Sequence, residues 1–421
     1  MRLVFVNHMH PDTPHVSGMR AWFFARELAK RGHQVVQVCQ WRGDTTSAPP
    51  ADLLGPQLQA HDWQNPLLLA IQPQLRPVLN YIRSSHIPIG LRKALVAWNY
   101  VTYSGMATDF SQAVQPYLKV LAREFEPQAT WGVNGSTDCW LIAQRLGHLA
   151  TCPWVADMKD SWDTFIPSPL RGLLARRFCD MVASTANAEF NARVLDYWFP
   201  PRPVVIYSGV DPCFIEAPPL ALSANCLRIT LTGSVYNLGT LQGFVAGLRQ
   251  WLETVALLPS TDVFKPEVIY AGASAATVAP ILGSLSDLAQ IEVRNYLPLS
   301  ELAALCRSAT VNTYLWNPKT FHHKLLELLS CGRPVIAFPG ETEESRQLAV
   351  ACGGELHCPS NPQELMATLD NLALGRMTVV KATQPGAQSG QKAFTWAVQA
   401  NRLETVLQQV VLQQAREEVV L

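Results

Sequence analysis

Short apolar runs alternate with helix-like patterns along most of the chain, and this alternation restricts the fold more than any other feature. Leu3 to Val6, Val35 to Cys39, Ala129 to Val133, Trp154 to Asp157, Val182 to Ser184 and Val204 to Tyr207 form one series. Leu227 to Leu231, Val268 to Ala271, Ile291 to Arg294, Ala309 to Leu315 and Val335 to Phe338 form a second. Those that are apolar without interruption, such as Leu3 to Val6 and Val335 to Phe338, suit strands buried on both faces, which parallel sheets obtain from the helices of their crossovers. The expected class is α/β, with two doubly wound, Rossmann-like domains. At 421 residues the chain is too long for a single core. The series place the domains at 1–211 and 227–392, joined by the Pro- and Ser-containing stretch Pro212 to Cys226. Residues 393–421 read as one long helix, with Phe394, Trp396, Leu403, Val406, Leu407 and Val410 as apolar positions. Residues 41–111 read as an irregular insertion; within it, Ile89 to Tyr103 fits either a covered helix or an amphipathic piece that touches lipid.

Lys plus Arg and Asp plus Glu both number 33, so no net charge draws the chain to a polyanion, and nucleic acid is not an expected partner. The 10 cysteines lack C-x-x-C spacing and read as reduced core residues of a cytosolic protein, without disulfides or a structural metal. Met1 to Val6 reads as a strand rather than a leader, because its apolar run is short. No run approaches the roughly 20 apolar residues of a membrane span.

The stretch Phe321 to Phe338 reads as a helix and a strand, with Gly332 at a left-handed cap and Pro334 forbidding continuation. Lys324 and Glu327 are three apart and share one face. The loop before them follows the strand ending at Leu315, and open α/β sheets bind ligands at strand carboxyl ends. Phosphate suits such a place; the plain alternative is a surface pair worth a few tenths of a kcal/mol. In the first domain, a helix is expected over Ala21 to Lys30, after a long turn, Asn7 to Met19, that closes with Ser17-Gly18. The turn is no G-x-G-x-x-G fingerprint, so a nicotinamide or flavin is not expected. Asn134-Gly135-Ser136 and Asp160 also stand at strand ends. Asp157 and Asp160 lack the ligand count for a metal site, and Asp160 alone fits an Asx turn or cap before Trp162 equally well.

Taken in order, these segments resemble retaining GT-B glycosyltransferases of the family 4 type. The likeness is carried by Leu28-Ala29-Lys30-Arg31-Gly32-His33-Gln34-Val35-Val36, by Trp154 to Trp162, by Cys179 to Thr185, by Val205 to Asp211 and by Phe321 to Phe338. It spans roughly residues 1 to 340 and fades between Trp41 and Ser111.

The resemblance implies two Rossmann-like domains facing across a cleft, with the terminal helix crossing back to the first. It implies transfer of a sugar from a nucleotide-sugar donor to the hydroxyl of a saccharide or lipid-linked acceptor, with retention, without a metal and with no cofactor besides the donor. Lys324 and the N–H groups of Gly18, Gly233 and Ser234 would meet the diphosphate. Glu327 would take the ribose hydroxyls, and Tyr296 and His322 would complete the donor site. Asp160 would orient the acceptor, so Asp160 and Lys324 are the catalytic candidates. The implied setting is polysaccharide, glycolipid or glycoconjugate biosynthesis in the cytoplasm, with peripheral contact at the inner face of the membrane left open. Three positions depart from the pattern. No histidine stands near Asn134, Lys319 replaces a glutamate eight residues before Glu327, and Thr232 to Leu238 holds no Arg or Lys. These departures also fit a non-catalytic nucleotide-sugar-binding protein, and a sugar-nucleotide 2-epimerase would share the two-domain shape.

Overall fold

The computed structural model describes all residues except 14, 75–76, 84–86, 217–225, 258–264, 319, 379–391 and 421. The chain divides into two compact units, Met1–Ser208 with Trp396–Leu421, and Gly209–Thr395.

The first unit is built on a seven-stranded sheet in the order β3-β2-β1-β4-β5-β6-β7. Its strands are β1 (Arg2–Val6), β2 (Gln34–Gln40), β3 (Leu67–Ile71), β4 (Ala129–Asn134), β5 (Trp154–Met158), β6 (Ala183–Ala186) and β7 (Val204–Val205), and every pairing is parallel. β1 shows why the pattern reads as uninterrupted apolar residues. Leu3 and Phe5 enter the core on one face of the sheet and Val4 and Val6 the core on the other. On the first face Trp131 meets Phe5 at 4.7 Å and Phe24 at 5.7 Å, and Trp396 of the terminal helix stacks on Phe23 at 4.9 Å. The terminal helix, Trp396–Val420, is pinned to this unit by Glu404, which accepts from Arg31 and pairs with His33, both at 2.7 Å.

Residues 41–111 differ from the expected irregular insertion. Leu67–Ile71 is the edge strand β3, and most of the remainder is helical, including Leu54–Ala60, Pro77–Arg83, Ile89–Tyr103 and Thr108–Ala113. The run Leu-Leu-Leu-Ala-Ile is short, and length alone does not separate a strand from a helix segment. The first helix also starts earlier than expected. It covers Val16–Ala29, and the His15 ring accepts from the Ser17 amide at 3.2 Å, so Ser17 and Gly18 lie in its first turn rather than in the loop before it.

The second unit carries the order β10-β9-β8-β11-β12-β13, again all parallel, from β8 (Cys226–Thr232), β9 (Lys265–Ala271), β10 (Gln290–Arg294), β11 (Val311–Leu315), β12 (Val335–Phe338) and β13 (Leu356–His357). The helix after β8, Leu238–Ala256, is capped by Asn237, whose side chain accepts from Gly239 and Thr240, and it sends Phe244, Leu248 and Trp251 into the core. The boundary falls at Ser208 and Gly209 instead of 211. Pro212–Ile215 is not linker but a short helix started by the Asp211 side chain, and Val210 pairs in parallel with Thr395. A linker reading rests on composition, and proline at a first helical position suits a helix start as well as a linker.

Candidate functional site

In the second unit the loops after β8, β10, β11 and β12 leave the same carboxyl edge of the sheet. Gly233 has φ +93 at the end of β8, a region that glycine enters without strain. A side chain there would occupy the space held by the Lys324 ammonium. Lys324 opens the helix Lys324–Ser330, crosses to β8, donates to the Thr232 carbonyl at 3.1 Å and lies 5.6 Å from the Tyr314 ring. Burial lowers its pKa to about 8, although Glu327 opposes the shift. The amine is thus held at the sheet edge with one backbone partner and a weakened hold on its proton.

Glu327 is buried one turn on and meets His323 at 3.4 Å. Tyr296, at the end of β10, is half exposed; burial raises its phenol pKa, and the Glu327 charge raises it further. His322 accepts from the Asn317 amide at 2.8 Å and packs 5.5 Å from Tyr314. Burial, with Lys324 nearby, lowers its pKa to about 3, so it is a neutral group that shapes the β11 loop. Two residues that the sequence did not single out complete this edge. Glu341, after β12, accepts from the Tyr314 hydroxyl at 2.6 Å, and Tyr270 donates to the Gly233 carbonyl at 2.6 Å while accepting from the Ser274 amide. Ser234 follows Gly233 on the same turn, and Lys319 lies outside the described residues.

The first unit assembles a different cluster at the ends of β1, β4 and β5. His8 lies against Gly135, where a Cβ would stand 2.5 Å from its ring. The ring also contacts the Cys139 thiol at 3.9 Å. Burial first, then the neighbouring His15 and Lys159, lowers the His8 pKa to about 4, with Asp160 opposing. A histidine therefore does reach the β4 loop, but it comes from β1. No local pattern links residues that far apart; only the sheet order, which sets β1 beside β4, brings them together.

Asp160 accepts from Lys159 at 3.0 Å, and no side chain caps the short helix that follows, so the Asx-turn or cap reading does not describe it. Gly18 is required for a packing reason. A Cβ on it would meet the His10 carbonyl at 2.6 Å, which lets the loop close over the first turn of Val16–Ala29. Asp157 is fully buried, accepts from Arg20 at 2.9 and 2.7 Å and from Thr185 at 2.7 Å, and so fixes this helix to β5. Its oxygens are occupied by protein donors. Among the described residues no group of three or more His, Cys, Asp or Glu is placed to hold a metal ion.

No model of a known protein family matches the chain, and no curated protein matches it. Solved structures do. Sucrose-phosphate synthase from Thermosynechococcus elongatus superposes with a TM-score of 0.68 at 13% identity, covering 98% of this chain and 99% of its own. HepE from Anabaena, in complex with UDP and glucose, gives 0.61 at 15% identity, covering 97% of this chain and all of its own. A glycosyltransferase from Rickettsia africae gives 0.63 at 13% identity over 97% of this chain and 98% of its own. The fold is that of GT-B glycosyltransferases. Within this GT-B chain, Lys324, Glu327, His322, Tyr296, Gly233 and Ser234 belong to one unit, and Gly18 and Asp160 to the other.

Proposed function

We propose that this chain is a retaining, metal-independent glycosyltransferase of the hexosyltransferase type whose donor is a UDP-sugar. The observation that carries the reading is the Lys324 ammonium fitted against side-chain-free Gly233, desolvated and holding its proton weakly. A diphosphate supplies the anionic oxygens that such a cation lacks, and charge on the departing diphosphate is what transfer must stabilise most. The complex of HepE with UDP and glucose supports uridine diphosphate as the first donor to try.

Within this reading Lys324 holds the diphosphate together with the N–H groups of Gly233 and Ser234. Glu327 accepts from the ribose hydroxyls, Tyr296 stacks on the base, and His322 keeps the loop in shape. In the first unit Asp160 orients the acceptor hydroxyl, and a neutral His8 hydrogen-bonds sugar near the β4 loop. The acceptor is a saccharide or a lipid-linked saccharide.

The test is incubation with UDP-sugars and saccharide acceptors in EDTA, followed by NMR of the product's anomeric carbon. Transfer with the donor's anomeric configuration retained is expected. Inversion would remove retention, and a need for added Mg or Mn would remove metal independence. Binding without turnover would make the chain a nucleotide-sugar-binding protein, and a 2-epimerised donor would make it an epimerase.

A further inference from the structure

Among the described residues, one face of the first unit exposes an apolar stripe. In the helix Ile89–Tyr103, Asn99 and Tyr100 are buried and Val96 packs on the core, whereas Leu91, Ala94, Trp98 and Val101 are exposed. Their spacing of three and four residues makes them one stripe along the outer side. Trp98 is 61% exposed, and Ile89, which opens the helix, is 74% exposed. The two helices packed against this one extend the patch: Pro77–Arg83 adds Val78 and Tyr81, and Ser168–Arg177 adds Leu173. Single exposed apolar residues are ordinary, but a set of them on three helices packed together marks an interaction surface.

The charge around the patch is predominantly positive. Among the described residues between Trp63 and Thr108 the charged ones are Arg83, Arg92 and Lys93, with no Asp or Glu, and between Thr164 and Cys179 they are Arg171, Arg176 and Arg177, again with no acid. In a chain with equal numbers of acidic and basic residues this is a local concentration. Arg83 is paired with Asp109 at 3.0 Å and Arg171 with Asp163 at 2.8 Å, but Arg92 and Lys93 are exposed and have no ion-pair partner among the described residues. No described helix is long and apolar enough to cross a membrane.

We propose that this face docks on an anionic lipid surface, with Leu91, Trp98 and Val101 in the interfacial layer and Arg92, Lys93 and Arg176 on the headgroups. Aromatic and aliphatic residues flanked by cations are what binds a helix in the plane of such a surface. A second copy of the chain fits less well, because it would set cations against cations.

Flotation of the full chain with phosphatidylcholine vesicles, with and without 30% phosphatidylglycerol, tests this without any donor or acceptor. Binding to the anionic vesicles alone, weakened at high salt, is expected. Leu91→Ser with Trp98→Ser should weaken it at least tenfold. Arg92→Gln with Lys93→Gln should weaken it about 25-fold, from roughly fivefold for each cation near an anionic surface. The second variant changes only exposed charges and decides the matter if the first is unstable. Equal binding to both vesicles, no binding, or wild-type binding by the charge variant would overturn the proposal. So would a dimer that Trp98→Ser dissociates, found in a protein that ignores vesicles.

Discussion

The second unit's candidate site draws its charges from one short stretch, while the residues of the first unit's cluster come from three loops far apart in the chain. Lys324 and Glu327 lie on one helix, and Lys324 reaches the turn at Thr232 and Gly233. His8, Gly135 and Asp160 follow β1, β4 and β5 and meet because those strands are neighbours. The buried charge of each unit also serves a different end. Arg20 and Asp157 are satisfied by each other together with Ser208 and Thr185, whereas among the described residues Lys324 has a neutral carbonyl, the Tyr314 ring and a nearby carboxylate. A charge that the protein fully pairs holds the fold, and one left partly paired at a sheet edge is the candidate for meeting a ligand.

The largest test of this contrast is in the first unit. Asp157→Ala leaves Arg20 buried without its partner, which costs about 3 to 5 kcal/mol. Calorimetric melting should show this unit destabilised while UDP still binds; a melt like that of wild type would mean that the pair carries no stability. In the second unit Lys324→Ala should do the reverse. Loss of one member of a desolvated charge pair costs about 2 to 5 kcal/mol, so the Kd for UDP should rise at least about 30-fold with little change in melting. Unchanged affinity would return Lys324 to a packing role.

Next in size is Gly135→Ala, which drives a methyl group into the space of the His8 ring. A misplacement of about 1 Å costs about 100-fold in rate, so turnover should fall by that order with UDP affinity intact, and His8→Ala should do the same. Normal turnover in both would make His8 a core residue only. Glu327→Gln keeps the shape and loses the charge, and a hydrogen bond to a charged group is worth about 1.5 to 3 kcal/mol. Preference for UDP over its 2′-deoxy analogue should shrink by about 10- to 150-fold, and a preference equal to wild type would dismiss the ribose role.

The smallest effect is in pH. Because the Lys324 pKa in the free protein is lowered to about 8, the amine is half charged there, and a bound diphosphate favours the charged form. Binding should take up close to half a proton at pH 8 and weaken as pH rises further. Titration calorimetry in buffers of different ionisation enthalpy reads the uptake, which Lys324→Met should abolish. The same shift acts on folding with a defined sign. The unfolded chain binds more protons than the folded one between about pH 8 and the ordinary lysine value, so this lysine's cost to stability is relieved as pH rises through that window.

Much of the fold was legible because each strand and helix carries its burial in its own residues. The runs Leu3 to Val6 and Val335 to Phe338, the cap at Gly332 with φ +67, and the shared face of Lys324 and Glu327 are local facts that periodicity and turn chemistry report. The tertiary structure alone decided the rest. It made Leu67–Ile71 an edge strand, started the first helix at Val16, turned Pro212–Ile215 into a helix, took Asp157 into the core with Arg20, brought His8 to Gly135, and left the outer stripe of Ile89–Tyr103 uncovered. A residue's pattern tells which side of its own element is apolar, but which distant side chain meets that side, or whether any does, depends on the order in which strands pair and helices pack.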